Sequence, residues 1–205
     1  MIELASLLTF AFTVLVIELT PGPNMAWLAV LSVNEGRRAG LAAVAGIALG
    51  LGLVGLAAAL GLGAVIERSD MLYGLLRWGG VSFLFYLAWE GWREAGETAP
   101  VEASQGLRRY FLRGFVINIL NPKAALFYIA VFPEFIDPAG PVAQQAVMLA
   151  AISVLIATLI HLAIIALAGS ARLLLDNRPR RLIVQRALSL LLVAVALWLL
   201  VSTAR

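Results

Sequence analysis

Apolar residues run along this chain in six blocks, at about 4–32, 39–66, 71–92, 110–132, 142–168 and 182–201. Each is close to the roughly 20 mostly apolar residues that a bilayer-crossing helix requires. Polar residues cluster between the blocks, but two motifs fall inside them. Thr20-Pro21-Gly22-Pro23-Asn24 interrupts the first block. Asn121-Pro122-Lys123 interrupts the fourth, within the apolar stretch 111–136. Proline has no backbone N–H and its ring clashes with the preceding turn, so both blocks should break or kink there. The pattern predicts an all-α integral membrane protein with six transmembrane helices, the first and fourth interrupted by proline motifs.

The linkers are short except for residues 93–109, a polar stretch rich in Gly, Ala, Pro and Ser. It divides a single membrane transport domain, 1–205, into a first repeat at about 1–95 and a second at about 108–205. Each half has three spans. Three is odd, so the second half starts from the opposite face, and halves of like fold form an inverted repeat. Pro21 and Pro122 stand at corresponding positions in the two halves. Interrupted apolar segments so placed point to a transporter binding site near the bilayer midplane.

Composition agrees with this class. The chain is 62% hydrophobic and 13% charged, against about 45–50% and about 25% in soluble domains. The net charge is +3, but the basic residues sit between spans rather than in one patch. Nucleic-acid binding is therefore not expected. Cysteine is absent, which removes disulfides, thiolate metal sites and thiol redox chemistry. No basic n-region precedes the first block, so that span is expected to remain in the mature protein. The loops after the first, third and fifth spans carry eleven arginines, from Arg37 to Arg186, while the other side has Arg68, Arg77 and Arg205. The positive-inside bias places the basic loops in the cytoplasm and both termini outside it.

Two charged residues lie deep in the blocks, Glu18 and Lys123. Glu18 is about 21 Å beyond Leu4 on a helix rising 1.5 Å per residue. Intramembrane charges mark pathways or buried partners. The two flank the helix breaks, and a broken helix exposes N–H groups at one end and C=O groups at the other. The N–H end suits a carboxylate and the carbonyl end an ammonium group. An α-amino acid presents both. Thr20, Asn24, Asn118 and Asn121 add neutral donors and acceptors. The rival reading of the prolines is a structural kink alone. In an inverted repeat the two breaks meet, so Glu18 and Lys123 are expected to approach one another across a central cavity.

Other residues carry less. His161, the one histidine, lies in the fifth span. It is read as a packed neutral side chain or as a proton relay with Glu18. A metal site needs more ligands than one histidine, and neither a cofactor nor enzyme activity is expected. Trp78 and Trp92 sit near the ends of the third span, as interfacial belts do. Tyr86 and Trp89 are belt residues or stack on substrate. Arg77 and Glu90 are read as snorkelling anchors. Gly46 and Gly50, like Gly36 and Gly40, have small-xxx-small spacing, which serves packing within the bundle or a homodimer contact.

TPGPN at 20–24 and GFVINILNPKAALFYIAVFPEF at 114–135 resemble the two signatures of the lysine-exporter family of bacterial amino-acid efflux proteins, the group of the threonine and homoserine exporters. The stretches LRWGGVSFLFYLAWEGWR and GRRAGLAAVAGIALG resemble its third and second spans. The resemblance covers most of residues 10–136. It implies an inner-membrane carrier exporting amino acids, driven by the proton gradient. It also implies functional roles for Pro21, Gly22, Pro23, Asn24, Asn121, Pro122 and Lys123. Many members have Asp where this chain has Asn24, which moves the proton-carrying role toward Glu18. The expectation is a secondary transporter for small amino acids or close derivatives, with the substrate, protons and the lipid bilayer as partners. A metal-ion or other small-solute exporter and a non-transporting scaffold are the alternatives.

Overall fold

The computed structural model describes residues 3–19, 22–60, 69–93, 95, 103–137, 139–171 and 178–202. Every regular element among them is helical. Four helices are long and apolar enough to cross a membrane, five if one bent pair counts as a single span.

That pair is α1 (Leu4–Leu19) and α2 (Pro23–Glu35), which meet at 58°. Pro23 occupies the start of α2, where a missing N–H costs nothing and the fixed φ suits the helix. α2 ends at Gly36, whose φ of 87° is the only positive φ among the described residues. A β-carbon strains that conformation, and the glycine lets α3 (Arg37–Ala59) begin at the next residue. After α4 (Asp70–Arg93) comes α5 (Ala103–Ile119), which starts inside the stretch read as linker. Gly106, Tyr110, Gly114, Ile117 and Asn118 are buried at helical spacing, so α5 already has a packed face here.

The apolar block at 110–132 is not one helix. α5 stops at Ile119 and the short α6 (Pro122–Leu126) follows. Asn121 caps α6, its Oδ1 accepting from the Lys123 backbone N–H at 3.0 Å. A side-chain cap with proline at the first position is a strong local start signal. The chain then widens through a π-helical turn, Phe127–Val131, and tightens through a 3₁₀ turn, Phe132–Phe135. α7 (Val142–Ala171) and α8 (Arg178–Ser202) complete the bundle.

α3 packs most closely on α5. A β-carbon on Gly46 would collide with the Phe111 carbonyl, and one on Gly114 with the Ala43 carbonyl. Small residues allow such backbone approach where lipid offers no hydrophobic drive. The Gly46–Gly50 stripe is thus used inside one copy of the chain. Gly40 packs against Ser32 and Ile165. α3 also lies on α7, α4 pairs with α8, and α2 bridges the two groups. α4 and α5 touch little.

Two apolar cores result. One gathers Trp27, Leu28, Ile47, Ile117, Ile165 and α4–α8 residues such as Leu84 and Leu192. The other gathers Phe10, Val14, Leu51, Phe127, Phe132 and Ala157. Trp78 and Trp92 are exposed near opposite ends of α4, each beside an arginine, Arg77 and Arg186. The anchor reading of Glu90 is corrected: it is only 5% exposed and is ion-paired to Arg109 and Arg113. Arg77 is half-buried and donates to the Leu200 carbonyl of α8.

Candidate functional site

Polar residues on α1, α2, α5, α6 and α7 stand where the two cores meet. Glu18 follows Phe10 and Val14, Asn24 precedes Trp27, and Asn118 follows Ile117. Lys123 precedes Ala124, and His161 stands between Ala157 and Ile165. These five residues and Asn121 line one small cavity. Gly22, Met25, Leu51 and Ala124 supply the rest of its wall. Its volume is about 20 Å³, room for about one water.

The geometry follows from the two chain breaks. Gly22, at the start of α2, faces Lys123, at the start of α6. A β-carbon on Gly22 would stand 3.3 Å from Lys123 Cδ and 3.7 Å from Nζ. Glu18 is half-buried and close enough to attract Lys123 electrostatically. Asn24 Nδ2 donates to Asn118 Oδ1 at 2.7 Å, joining α2 to α5. The other amide atoms, Asn24 Oδ1 and Asn118 Nδ2, are buried without a protein partner, as is His161 Nε2. Asn118 is 1% exposed and His161 2%. A buried polar atom left unpaired costs about 1–3 kcal/mol, so three at one cavity suit a polar guest.

The cavity offers an acceptor with negative charge, a donor with positive charge, and neutral amide and imidazole groups between. This set matches a small molecule carrying both an ammonium and a carboxylate. Among the described residues no group of three or more His, Asp or Glu is placed to hold a metal ion.

Of the residues singled out from sequence, Glu18, Gly22, Asn24, Asn118, Asn121, Lys123 and His161 come together here. Pro23 is buried beside them, and Pro122 opens α6. Thr20 and Pro21 lie outside the described residues. Tyr86 is not at this cavity. It is 44% exposed on α4 and donates toward Glu90 at 3.3 Å. The apolar wall residues Met25, Leu51 and Ala124 carry no signal that separates them from core residues in sequence. The pairing of Glu90 escapes notice too, since Arg109 and Arg113 read as loop charges.

Residues 15–203 match the LysE type translocator family. The homoserine/homoserine lactone efflux protein of Salmonella typhimurium (strain LT2) is 31% identical over 149 residues, 72% of this chain and 72% of that one. The leucine efflux protein of Salmonella choleraesuis (strain SC-B67) is 27% identical over 165 residues, 79% of this chain and 78% of that one. The uncharacterized membrane protein YrhP of Bacillus subtilis (strain 168) is 29% identical over 199 residues, 92% of this chain and 95% of that one. No solved structure matches the chain significantly. With the family match running through nearly every helix that builds the cavity, the chain belongs to the LysE type translocators.

Proposed function

We propose that this protein is a secondary transporter that exports small amino acids or close derivatives across the bacterial inner membrane by proton antiport. The reading is supported by membership of a translocator family and by relatives named for homoserine and leucine efflux. The observation that carries it is the cavity where Glu18 and Lys123 flank an Asn24–Asn118 pair between the two cores. In this reading the substrate carboxylate takes Lys123, while the ammonium takes Glu18. Asn24, Asn118 and Asn121 hold the remaining polar atoms, and Glu18 with His161 carries the proton. Gly22, Pro23 and Pro122 shape the breaks, and Thr20 and Pro21 are assigned to substrate binding.

The cavity holds about one water, so loading an amino acid requires its walls to part. The finer architecture belongs to the same proposal: six spans as two inverted three-helix repeats, with the basic loops inside.

The test is export itself. Cells overexpressing the chain should release more homoserine, leucine or a related amino acid into the medium than deletion cells, and tolerate toxic analogues better. Collapse of the proton gradient should reduce the release. A broad amino-acid panel showing neither added release nor added tolerance overturns the exporter reading.

A further inference from the structure

A second chamber lies on the arginine-rich side of the bundle. Its wall draws on α2, α4, α5 and α8, and its volume is about 50 Å³. Much of the wall is polar. Glu90 is buried and ion-paired to both Arg109 and Arg113. Tyr110 and the exposed Glu35 also line it. Asn34 reaches the same chamber with its Oδ1 buried and without a protein partner. Arg109 and Arg113 also face outward. With Tyr86 and Arg108 they line an open groove of about 730 Å³ between α4 and α5. The Arg113 guanidinium lies 5.9 Å from the centre of the Tyr86 ring. The ion pairs therefore stand between the open groove and the smaller chamber.

The chamber and the central cavity share two walls, α2 and α5. On α5, Arg113 precedes Asn118 by about 7.5 Å of helix rise, and on α2 Asn34 follows Asn24 by about 15 Å. The buried Trp27, Leu28 and Ile117 lie between them along these helices. Open groove, ionic partition, small polar chamber, apolar barrier and central cavity thus follow one another in order.

We propose that this chamber is a second binding station for a zwitterionic amino acid, closed in the empty carrier by the ion pairs of Glu90 with Arg109 and Arg113. The proposal rests on the transport reading above. A ligand carboxylate competes with Glu90 for the guanidinium groups, whose planar forks bind carboxylates in pairs of hydrogen bonds. The released Glu90 carboxylate and Asn34 Oδ1 accept the ligand ammonium. The exchange leaves no charge buried and unpaired, the arrangement that is strongly destabilising. A zwitterion satisfies both sides of the opened partition at once, whereas a simple anion or cation leaves one side unmet.

The absence of native cysteine allows a direct test. Leu31→Cys places one thiol on the chamber wall. The purified chain in vesicles of either sidedness is treated with a membrane-impermeant, uncharged sugar-linked methanethiosulfonate, whose rate does not follow the charge lost at Glu90. With Glu90 in place, labelling should be slow. Glu90→Gln should speed it by about tenfold from one face only, because a lost member of a buried pair frees the others. Millimolar homoserine or leucine should alter the labelling rate when Arg113 is present and not in Arg113→Gln. Equal rates with and without Glu90, or no response to any amino acid of a broad panel, overturn the proposal. Should Glu90→Gln fail to reach the membrane, Arg109→Gln keeps one pair intact and should give an intermediate rate; an unchanged rate there overturns it equally. Counterflow of the same amino acids through the unsubstituted chain is measured in parallel. No counterflow overturns the transport reading, while counterflow with unchanged labelling overturns the chamber alone.

Discussion

Lys123 lies across the face of Gly22, its Nζ 3.7 Å from where a β-carbon on Gly22 would stand. The two residues flank chain breaks about a hundred residues apart, and their contact brings those breaks to one cavity. Gly22 has extended backbone, φ −152° and ψ 177°, which any residue adopts. Space rather than conformation therefore fixes the glycine.

Gly22→Val should push the Lys123 side chain from its place while leaving the helices intact. A hydrogen bond to a charged group contributes about 1.5–3 kcal/mol, so export should fall by about tenfold or more. The melting temperature in detergent should change little. Gly22→Ala should be milder, since a lysine stem can shift by a few tenths of an ångström. Wild-type export by Gly22→Val would show that Lys123 does not need this position.

The Asn24–Asn118 hydrogen bond invites a double-substitution cycle. Asn118→Leu removes the one protein partner of the Asn24 amide, leaving it buried with both atoms unpaired. That should cost about 1–3 kcal/mol of stability. Changing both residues to Leu removes the unpaired group as well, so the double variant should lose less than the sum of the singles. Additive losses in denaturant or thermal unfolding would mean that the bond contributes nothing.

Two glycines make a matched pair for the α3–α5 interface. Gly46→Val drives a side chain into the Phe111 carbonyl, and overpacking of this kind costs about 1–3 kcal/mol or more. Gly74 on α4 has nothing within 4 Å of its would-be β-carbon. Gly74→Ala should be neutral or stabilising by up to about 0.5–1 kcal/mol. Similar melting shifts for the two would contradict the packing described.

Much of the architecture is local and so readable from sequence. A proline beside a charged or amide residue inside an apolar block marks a helix end by backbone chemistry alone, and α2 and α6 both begin at such points. The residues around those ends then share a cavity because the ends do. What stays hidden depends on partners distant in sequence. Glu90 has the look of an interfacial anchor because its arginines stand 19 and 23 residues further on. Those arginines look like loop charges until α5 is seen to begin at Ala103. Tyr86 is drawn to Glu90, four residues away on its own helix, and so away from the central cavity. The π and 3₁₀ turns after Leu126 have no single-residue signal, although Pro133 ends any regular helix nearby.

The arginine distribution predicts an orientation that can be measured. Eleven arginines flank the linkers after the first, third and fifth predicted spans, and the bias places these inside the cell. A reporter active only outside the cytoplasm should give signal when fused after Arg205 and none when fused near Gln105. The opposite pattern would reverse the orientation, and equal signals would count against six spans.

The sharpest prediction concerns the charges at the central cavity. Glu18 and Lys123 line the same space and attract one another. An isolated charge at this depth costs at least about 2.5–3.5 kcal/mol, so each stabilises the other in the empty carrier. In the proposed mechanism a bound amino acid substitutes for both at once, its carboxylate at Lys123 and its ammonium at Glu18, and protonation of Glu18 removes the ammonium's partner, which would couple a proton to substrate release. Glu18→Gln should preserve membrane insertion and downhill export but abolish the response to an imposed proton gradient. Lys123→Ala should abolish binding and lower the protein's stability, because Glu18 loses its partner. Combining the two should restore part of that stability without restoring export. Gradient-driven export by Glu18→Gln at the wild-type rate would remove the coupling role. A double variant no more stable than Lys123→Ala would remove the pairing, and the two results are independent.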